Sequence, residues 1–168
     1  MQIVKATMDD LNKIVEMYVL ARRDLQENDI HQWDYNDPSV QMLIADIQAG
    51  TLFVAKDGDK ILGSVVLDEQ QEPEHRDVNW GVDNGKPLYL HRLVVHLDYQ
   101  GEGTGKALME FAENYAKEHG YTAIRLDAYE DNDVARGLYQ TFGYQERGKV
   151  YFPRREVPFY SYEKEIVH

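Results

Sequence analysis

Gln100-Gly101-Glu102-Gly103-Thr104-Gly105-Lys106 stands between a β-rich run, Leu88-Tyr89-Leu90-His91-Arg92-Leu93-Val94-Val95, and a strongly amphipathic segment. Three glycines in five residues let the backbone turn tightly and bring its N–H groups close to a ligand. The segment that follows repeats Leu108, Phe111, Ala112 and Tyr115 at helical spacing and stops at Gly120. A helix N-terminus adds unpaired donors and roughly half a positive charge. Strand, glycine loop and helix together suit a phosphate or pyrophosphate.

Spacing removes two readings of that loop. A P-loop requires a glycine five residues before Gly105 and a hydroxyl after the lysine, where this chain has Gln100 and Ala107. A dinucleotide fingerprint begun at Gly101 or Gly103 would end on Lys106 or Leu108, and neither fits. The pattern Q/R-x-x-G-x-G/A does fit, with Gln100, Gly103 and Gly105 in its fixed places.

Outward from the loop, the hydrophobic period alternates between helix and strand. A short strand over residues 2–6 leads to Thr7, which caps a helix with Asp10 three residues on. Leu11, Ile14, Val15, Tyr18, Val19 and Leu25 make its apolar stripe. Asp37-Pro38 reads as cap and first position of a second helix, with Val40, Leu43, Ile44 and Ile47 inward and Gly50 as its stop. Asp57-Gly58 then joins two β-rich runs as a hairpin, and Gly63 marks a bulge or a close backbone approach.

Residues 68–86 read as a long polar excursion between strands, in which Glu69 to Glu74 with His75 form a charge-rich loop of no more specific meaning. Residues 87–96 make the central strand and residues 122–128 another. Val134, Leu138 and Phe142 give the stripe of a short helix ending at Gly143, and residues 144–148 and 158–166 close the order β-α-α-β-β-β-α-β-α-β-β. With no repeat or low-complexity linker, one domain over residues 1–168 is expected.

A second motif lies in that short helix: Asn132-Asp133-Val134-Ala135-Arg136-Gly137-Leu138-Tyr139-Gln140-Thr141-Phe142-Gly143-Tyr144. Asn132 can cap it, and Tyr139 shares a helical face with Ala135. The glycine loop, followed at this distance by N-x-x-A-x-x-x-Y and F-G-Y, resembles the GCN5-related N-acetyltransferases (GNAT). The resemblance spans the whole element order, with its specific motifs between Leu88 and Gly148.

The resemblance implies a GNAT-like single α/β domain with a mixed, mostly antiparallel, twisted central sheet flanked by helices on both faces. It implies acetyl-CoA as co-substrate, its pyrophosphate on Gln100, Gly101, Glu102, Gly103, Thr104, Gly105 and Lys106. The backbone of Leu93, Val94 and Val95 would align the pantetheine arm, with Leu93 N–H the first choice for polarising the acetyl carbonyl. Asn132 and Ala135 would lie on the coenzyme helix, and Tyr139 would protonate the departing thiolate. His91, two residues before Leu93, is the first choice for accepting the amine proton, since imidazole changes protonation near neutral pH. His96 has the opposite strand parity and is weaker. Trp33 and Tyr129 are expected acceptor contacts; a structural packing role stays open for both. The reaction implied is direct attack by the primary amine of a small molecule or peptide in a ternary complex. A non-catalytic acyl-CoA-binding sensor stays open as the alternative.

Composition sets the outer limits. The chain has 168 residues, 43% of them hydrophobic, enough to build a core without staples. Cysteine is absent, which removes disulfides, thiolate metal sites and a cysteine nucleophile. No H-x-x-x-H pair occurs, and no metal is expected. The formal charge of −12 repels nucleic acid. The first residues lack the pattern of a signal peptide and no apolar run approaches the ~20 residues of a membrane span, so a cytoplasmic protein without membrane attachment is expected. A homodimer is left open. Arg147, Lys149, Arg154 and Arg155 form a locally basic C-terminal region that would meet a coenzyme phosphate or balance the acidic remainder.

Overall fold

In the computed structural model, which describes residues 1–33, 37–153 and 155–168, strands and helices follow the expected order. They are β1 (Gln2–Lys5), α1 (Leu11–Glu27), α2 (Val40–Ala49), β2 (Leu52–Asp57), β3 (Lys60–Asp68), β4 (Pro87–Val95), α3 (Thr104–Glu118), β5 (Ala123–Tyr129), α4 (Asp133–Thr141), β6 (Gln145–Val150) and β7 (Phe159–Glu165). The strands form a seven-stranded sheet in the order β1-β2-β3-β4-β5-β7-β6. Pairs β1–β2, β2–β3, β5–β7 and β6–β7 are antiparallel, while β4 and β5 are parallel. A parallel pair needs a crossover longer than a hairpin, and α3 supplies it. The sheet is therefore mixed and mostly antiparallel.

The chain packs as two compact units: Met1–Leu67 with Arg92–Phe111, and Asp68–His91 with Ala112–His168. In the first, Ile14, Met17 and Tyr18 of α1 and Leu43 and Ile47 of α2 pack with Leu52, Val54, Val66 and Val94. Helical spacing finds this face because Ile14 and Tyr18 are four apart, whereas Met17 escapes the expected stripe although it is just as buried. Thr7 and Asp10 pair as expected, Thr7 N–H donating to Asp10 Oδ2 at 2.9 Å, but the first turn they close is a 3-10 turn over Met8–Asp10.

The start of α2 differs from the expectation. Ser39 is its cap, its Oγ accepting from Met42 N–H at 3.2 Å, and Pro38 stays outside the helix after a cis Asp37–Pro38 peptide. Gly50 ends α2 at φ +74 as expected. Gly63 carries both features its position suggested. The β2–β3 register slips beside it, and a Cβ there would lie 2.7 Å from Val94 O.

In the second unit, β5 lies antiparallel to β7, with Arg125 opposite Glu163, Asp127 opposite Ser161 and Tyr129 opposite Phe159. These three rungs share one face of the sheet, because side chains alternate along a strand. Leu126 and Tyr162 pair on the opposite face, where Tyr139 of α4 packs with ring centroids 6.2 Å from Tyr162 and from Tyr144. The expected stripe of α4 is corrected at one position: Val134 is 86% exposed, and Tyr139 is the residue this helix buries. The helix is only two and a half turns long, so one large ring per face anchors it.

Candidate active site

The glycine loop has the backbone its composition demands. Gly101 and Gly103 adopt φ +83 and +84, a region that costs any residue with a Cβ roughly 1–2 kcal/mol. Nothing lies within 4 Å of a Cβ built on either, so the conformation, and not crowding, selects glycine. Gln100, Glu102 and Lys106 are exposed around it. Thr104 is buried and opens α3, and Ala107 N–H donates to Gly103 O at 3.0 Å to close the first helical bond. The loop thus presents main-chain groups and a helix N-terminus to solvent, a geometry suited to a polyanion.

Leu93, Val94 and Val95 follow a left-handed residue inside β4. Arg92 sits at φ +52, a left-handed conformation that a bulky residue holds only when its surroundings impose it. Tyr18 Oη–H donates to Arg92 O at 2.7 Å, and the Arg92 guanidinium pairs with Asp46 of α2. Burial pushes the Tyr18 phenol up to about 12, with Arg92 opposing, so it remains a donor at any physiological pH. Beyond Arg92, His96 N–H donates to Leu62 O at 2.8 Å and Gly63 admits Val94 O. Val94 alone of the three is fully buried.

Trp33 belongs to the same unit, packing against its apolar core with its ring 5.6 Å from that of Tyr18. His96 caps a short 3-10 turn, its Nδ1 accepting from Asp98 N–H at 3.1 Å.

The second unit contains His91, Tyr129, Asn132, Ala135 and Tyr139. Asn132 Oδ1 accepts from Ala135 N–H at 3.1 Å, the expected cap. Tyr139 is buried, and its phenol is pushed well above the usual range, first by desolvation and then by the charge of Asp127. His91 Nε2 lies 2.8 Å from Asp68 Oδ1. A carboxylate only accepts, so the proton belongs on Nε2 and the lone pair of the neutral ring on Nδ1. Tyr129 is the last residue of β5 instead of lying beyond it, buried against Phe159 at 5.0 Å.

The excursion expected as an unspecific charged loop is corrected at His75. Pro73–Asp77 form a 3-10 turn that buries this ring, and His75 Nε2 lies 2.6 Å from Asp127 Oδ2. Asp127 Oδ1 accepts from Ser161 Oγ–H at 2.8 Å. Neighbouring Glu163, fully buried, accepts from Gly81 N–H, Val82 N–H, Arg125 Nε–H and Arg147 Nε–H. Arg147 thus has a structural partner, Lys149 lies over the Tyr160 ring, and Arg154 falls outside the described residues. Sequence reasoning missed Asp68, His75 and Asp127. Asp127 was findable by parity with Arg125 along β5, but His75 reaches it from 52 positions away.

A sequence model of the Acetyltransferase (GNAT) family matches residues 14–144. The chain belongs to the GNAT acetyltransferase family. It is 29% identical over 146 residues to the uncharacterized N-acetyltransferase YesJ of Bacillus subtilis, covering 85% of this chain and 81% of that one. A GNAT acetyltransferase structure from Streptococcus agalactiae superposes with a TM-score of 0.83 at 22% identity, over 98% of this chain and 94% of that one. The Salmonella typhimurium protein yncA, solved with its cofactor acetyl-CoA, shares the fold at a TM-score of 0.73 and 15% identity, over 100% and 95% of the two chains. The expected GNAT fold is thus present, and acyl transfer from acetyl-CoA is the reaction of the family. Among the described residues, no three histidine or carboxylate side chains gather as a metal cradle, and no helix is long and apolar enough to cross a membrane.

Proposed function

We propose that the protein transfers the acetyl group of acetyl-CoA to a primary amine by direct attack in a ternary complex. The observation that carries this reading is the open glycine loop, with Gly101 and Gly103 at positive φ ahead of α3. Gln100, Gly101, Glu102, Gly103, Thr104, Gly105 and Lys106 hold the pyrophosphate, chiefly through main-chain N–H groups. Leu93, Val94 and Val95 align the pantetheine with their backbone, and Leu93 N–H steadies the oxyanion. Asn132 and Ala135 shape the start of the coenzyme helix. Trp33 and Tyr129 contact the acceptor. The assignment of the acceptor to small molecules or peptides, the cytoplasmic location and a homodimer belong to the same reading, which involves no nucleic acid, membrane or metal.

In the reaction, the amine lone pair forms the N–C bond at the acetyl carbonyl, the C–S bond breaks, and its electron pair leaves on sulfur. His91 Nδ1 takes the ammonium proton, with Asp68 fixing the ring. The buried phenol of Tyr139 holds its proton more tightly than a thiol of pKa ~8.5. Tyr139 therefore supports the departing thiolate by donating a hydrogen bond while keeping its proton.

Release of free coenzyme A thiol over a panel of amines tests the reading. Turnover is expected, and Tyr139→Phe should lower kcat about 100-fold with coenzyme affinity unchanged. Tight coenzyme binding without turnover on any amine would identify a sensor instead, and ATP binding tighter than coenzyme A in calorimetry would overturn the donor assignment.

A further inference from the structure

The face of the second unit formed by β5 and β7 has three rungs of different chemistry. Arg125 and Glu163 make an ionic rung, saturated by Arg147 and two backbone N–H groups. Tyr129 and Phe159 make an aromatic rung, extended by Phe152 at 5.2 Å from Phe159. Between them stands Asp127, whose two oxygens each accept one hydrogen bond, from Ser161 and from His75. A carboxylate has about four acceptor positions, so these two bonds leave the group oriented with acceptor capacity remaining.

Exposure shows which member of this cluster can meet a ligand. Ser161 is fully buried, and the His75 side chain is 4% exposed against 18% for Asp127. His75 is enclosed by Trp80, Tyr89 and Phe152, with ring centroids 5.9, 6.3 and 5.9 Å away, and its Nδ1 has no partner among the described residues. An apolar residue would fill that box without desolvating an imidazole. The serine and histidine both bond to the carboxylate and not to each other, so this is no nucleophile–base pair. What the arrangement supplies is one fixed, reachable carboxylate beside aromatic faces. That is the chemistry that recognises an alkylammonium ion, through a charged hydrogen bond and cation–π contact.

We propose that Asp127 is the acceptor subsite, binding the primary alkylammonium form of the acceptor, and that His75 and Ser161 are its positioning residues. This rests on the acyl-transfer reading and narrows the acceptor to aliphatic amines that are protonated in neutral water, excluding arylamines. The charge of Asp127 is also felt at the Tyr139 phenol, which packs on the opposite face of the same strands. The Tyr89 ring lies 6.3 Å from that of His75 and 6.4 Å from that of His91, and Tyr89 and His91, two apart on β4, share a face of the strand.

The test is a titration of the coenzyme A-loaded protein with n-butylammonium chloride, followed by the imidazole resonances of His75, with aniline as control and thiol release from acetyl-CoA measured in parallel. Saturable shifts at His75 with n-butylammonium and none with aniline are expected. Asp127→Asn should weaken that binding at least tenfold and raise the KM for n-butylamine while leaving the KM for acetyl-CoA within twofold. His75→Gln, which retains an N–H donor, should stay within about threefold of the unaltered protein, and His75→Phe should not. Turnover of n-butylamine without a shift at His75 would overturn the subsite and leave the acyl-transfer reading standing. A shift without turnover of any amine would do the reverse. The wild-type titration decides even where a variant fails to fold.

Discussion

The glycine loop and the β5–β7 face serve the proposed reaction with opposite materials. Around Gly101 and Gly103 the chain offers backbone, made available by dihedral angles that side chains resist. On the β5–β7 face it offers side chains, each fixed by partners far away in sequence, as His75 fixes Asp127. The contrast explains how each half can vary. A backbone site binds the constant part of a reaction and tolerates exchange of its exposed side chains. A side-chain site specifies the variable part and changes whenever one residue does.

The sharpest way to break this contrast is to attack each half with the other's weapon. Glu163→Leu removes a buried carboxylate that satisfies Arg125, Arg147 and two backbone donors, and should cost about 3–5 kcal/mol in denaturant unfolding. An unchanged midpoint would mean that this face is not organised by its side chains. Gly103→Val should cost the loop about 1–3 kcal/mol of conformational strain, read as a roughly fivefold to 150-fold loss of coenzyme A affinity in calorimetry. Glu102→Ala in the same loop should change that affinity less than threefold, because its side chain is exposed. An effect as large as that of the glycine would refute a backbone-built cradle.

Smaller effects sharpen the contrast further. Asn132→Ala should destabilise by about 1 kcal/mol through loss of the α4 cap. Least of all should be the acid response of Asp10. Burial raises its pKa, but the Lys56 ammonium at 2.7 Å and the Thr7 backbone outweigh this and hold it below the usual value. A depressed folded-state pKa contributes stability above the unfolded value of ~3.9 that is lost as pH falls through the folded value. Asp10→Asn should therefore lower stability slightly at pH 7 and flatten its pH dependence only in that acid range, leaving the slope near pH 7 unchanged.

These differences also account for what could be read in the chain. Gln100, Gly103, Gly105, Asn132 and Tyr139 fall within short stretches, so the loop and the α4 cap are legible from local spacing. Gly63 was legible too, because lack of a side chain is visible before its neighbour is known. His75 and Asp68 were not, since a polar residue in a polar excursion gives no periodic signal, and only the fold brings them to Asp127 and His91. Ser39 is hidden as a cap because Asp37-Pro38 offers a stronger local pattern two residues earlier. Val134 looked apolar enough for a core, yet a helix this short has no second buried turn to receive it.

Arg92 has a consequence for the order in which the molecule assembles. Its left-handed turn is imposed by Tyr18 and Asp46, residues 74 and 46 positions earlier, and nothing local favours it. A nascent β4 has no reason to turn left-handed at Arg92 until α1 and α2 are in place to hold it. Contacts at such separations close late because the intervening chain must first be ordered. The left-handed turn at Arg92 should thus form only once α1 and α2 have packed, and a fragment lacking these two helices should form β4 as an ordinary extended strand.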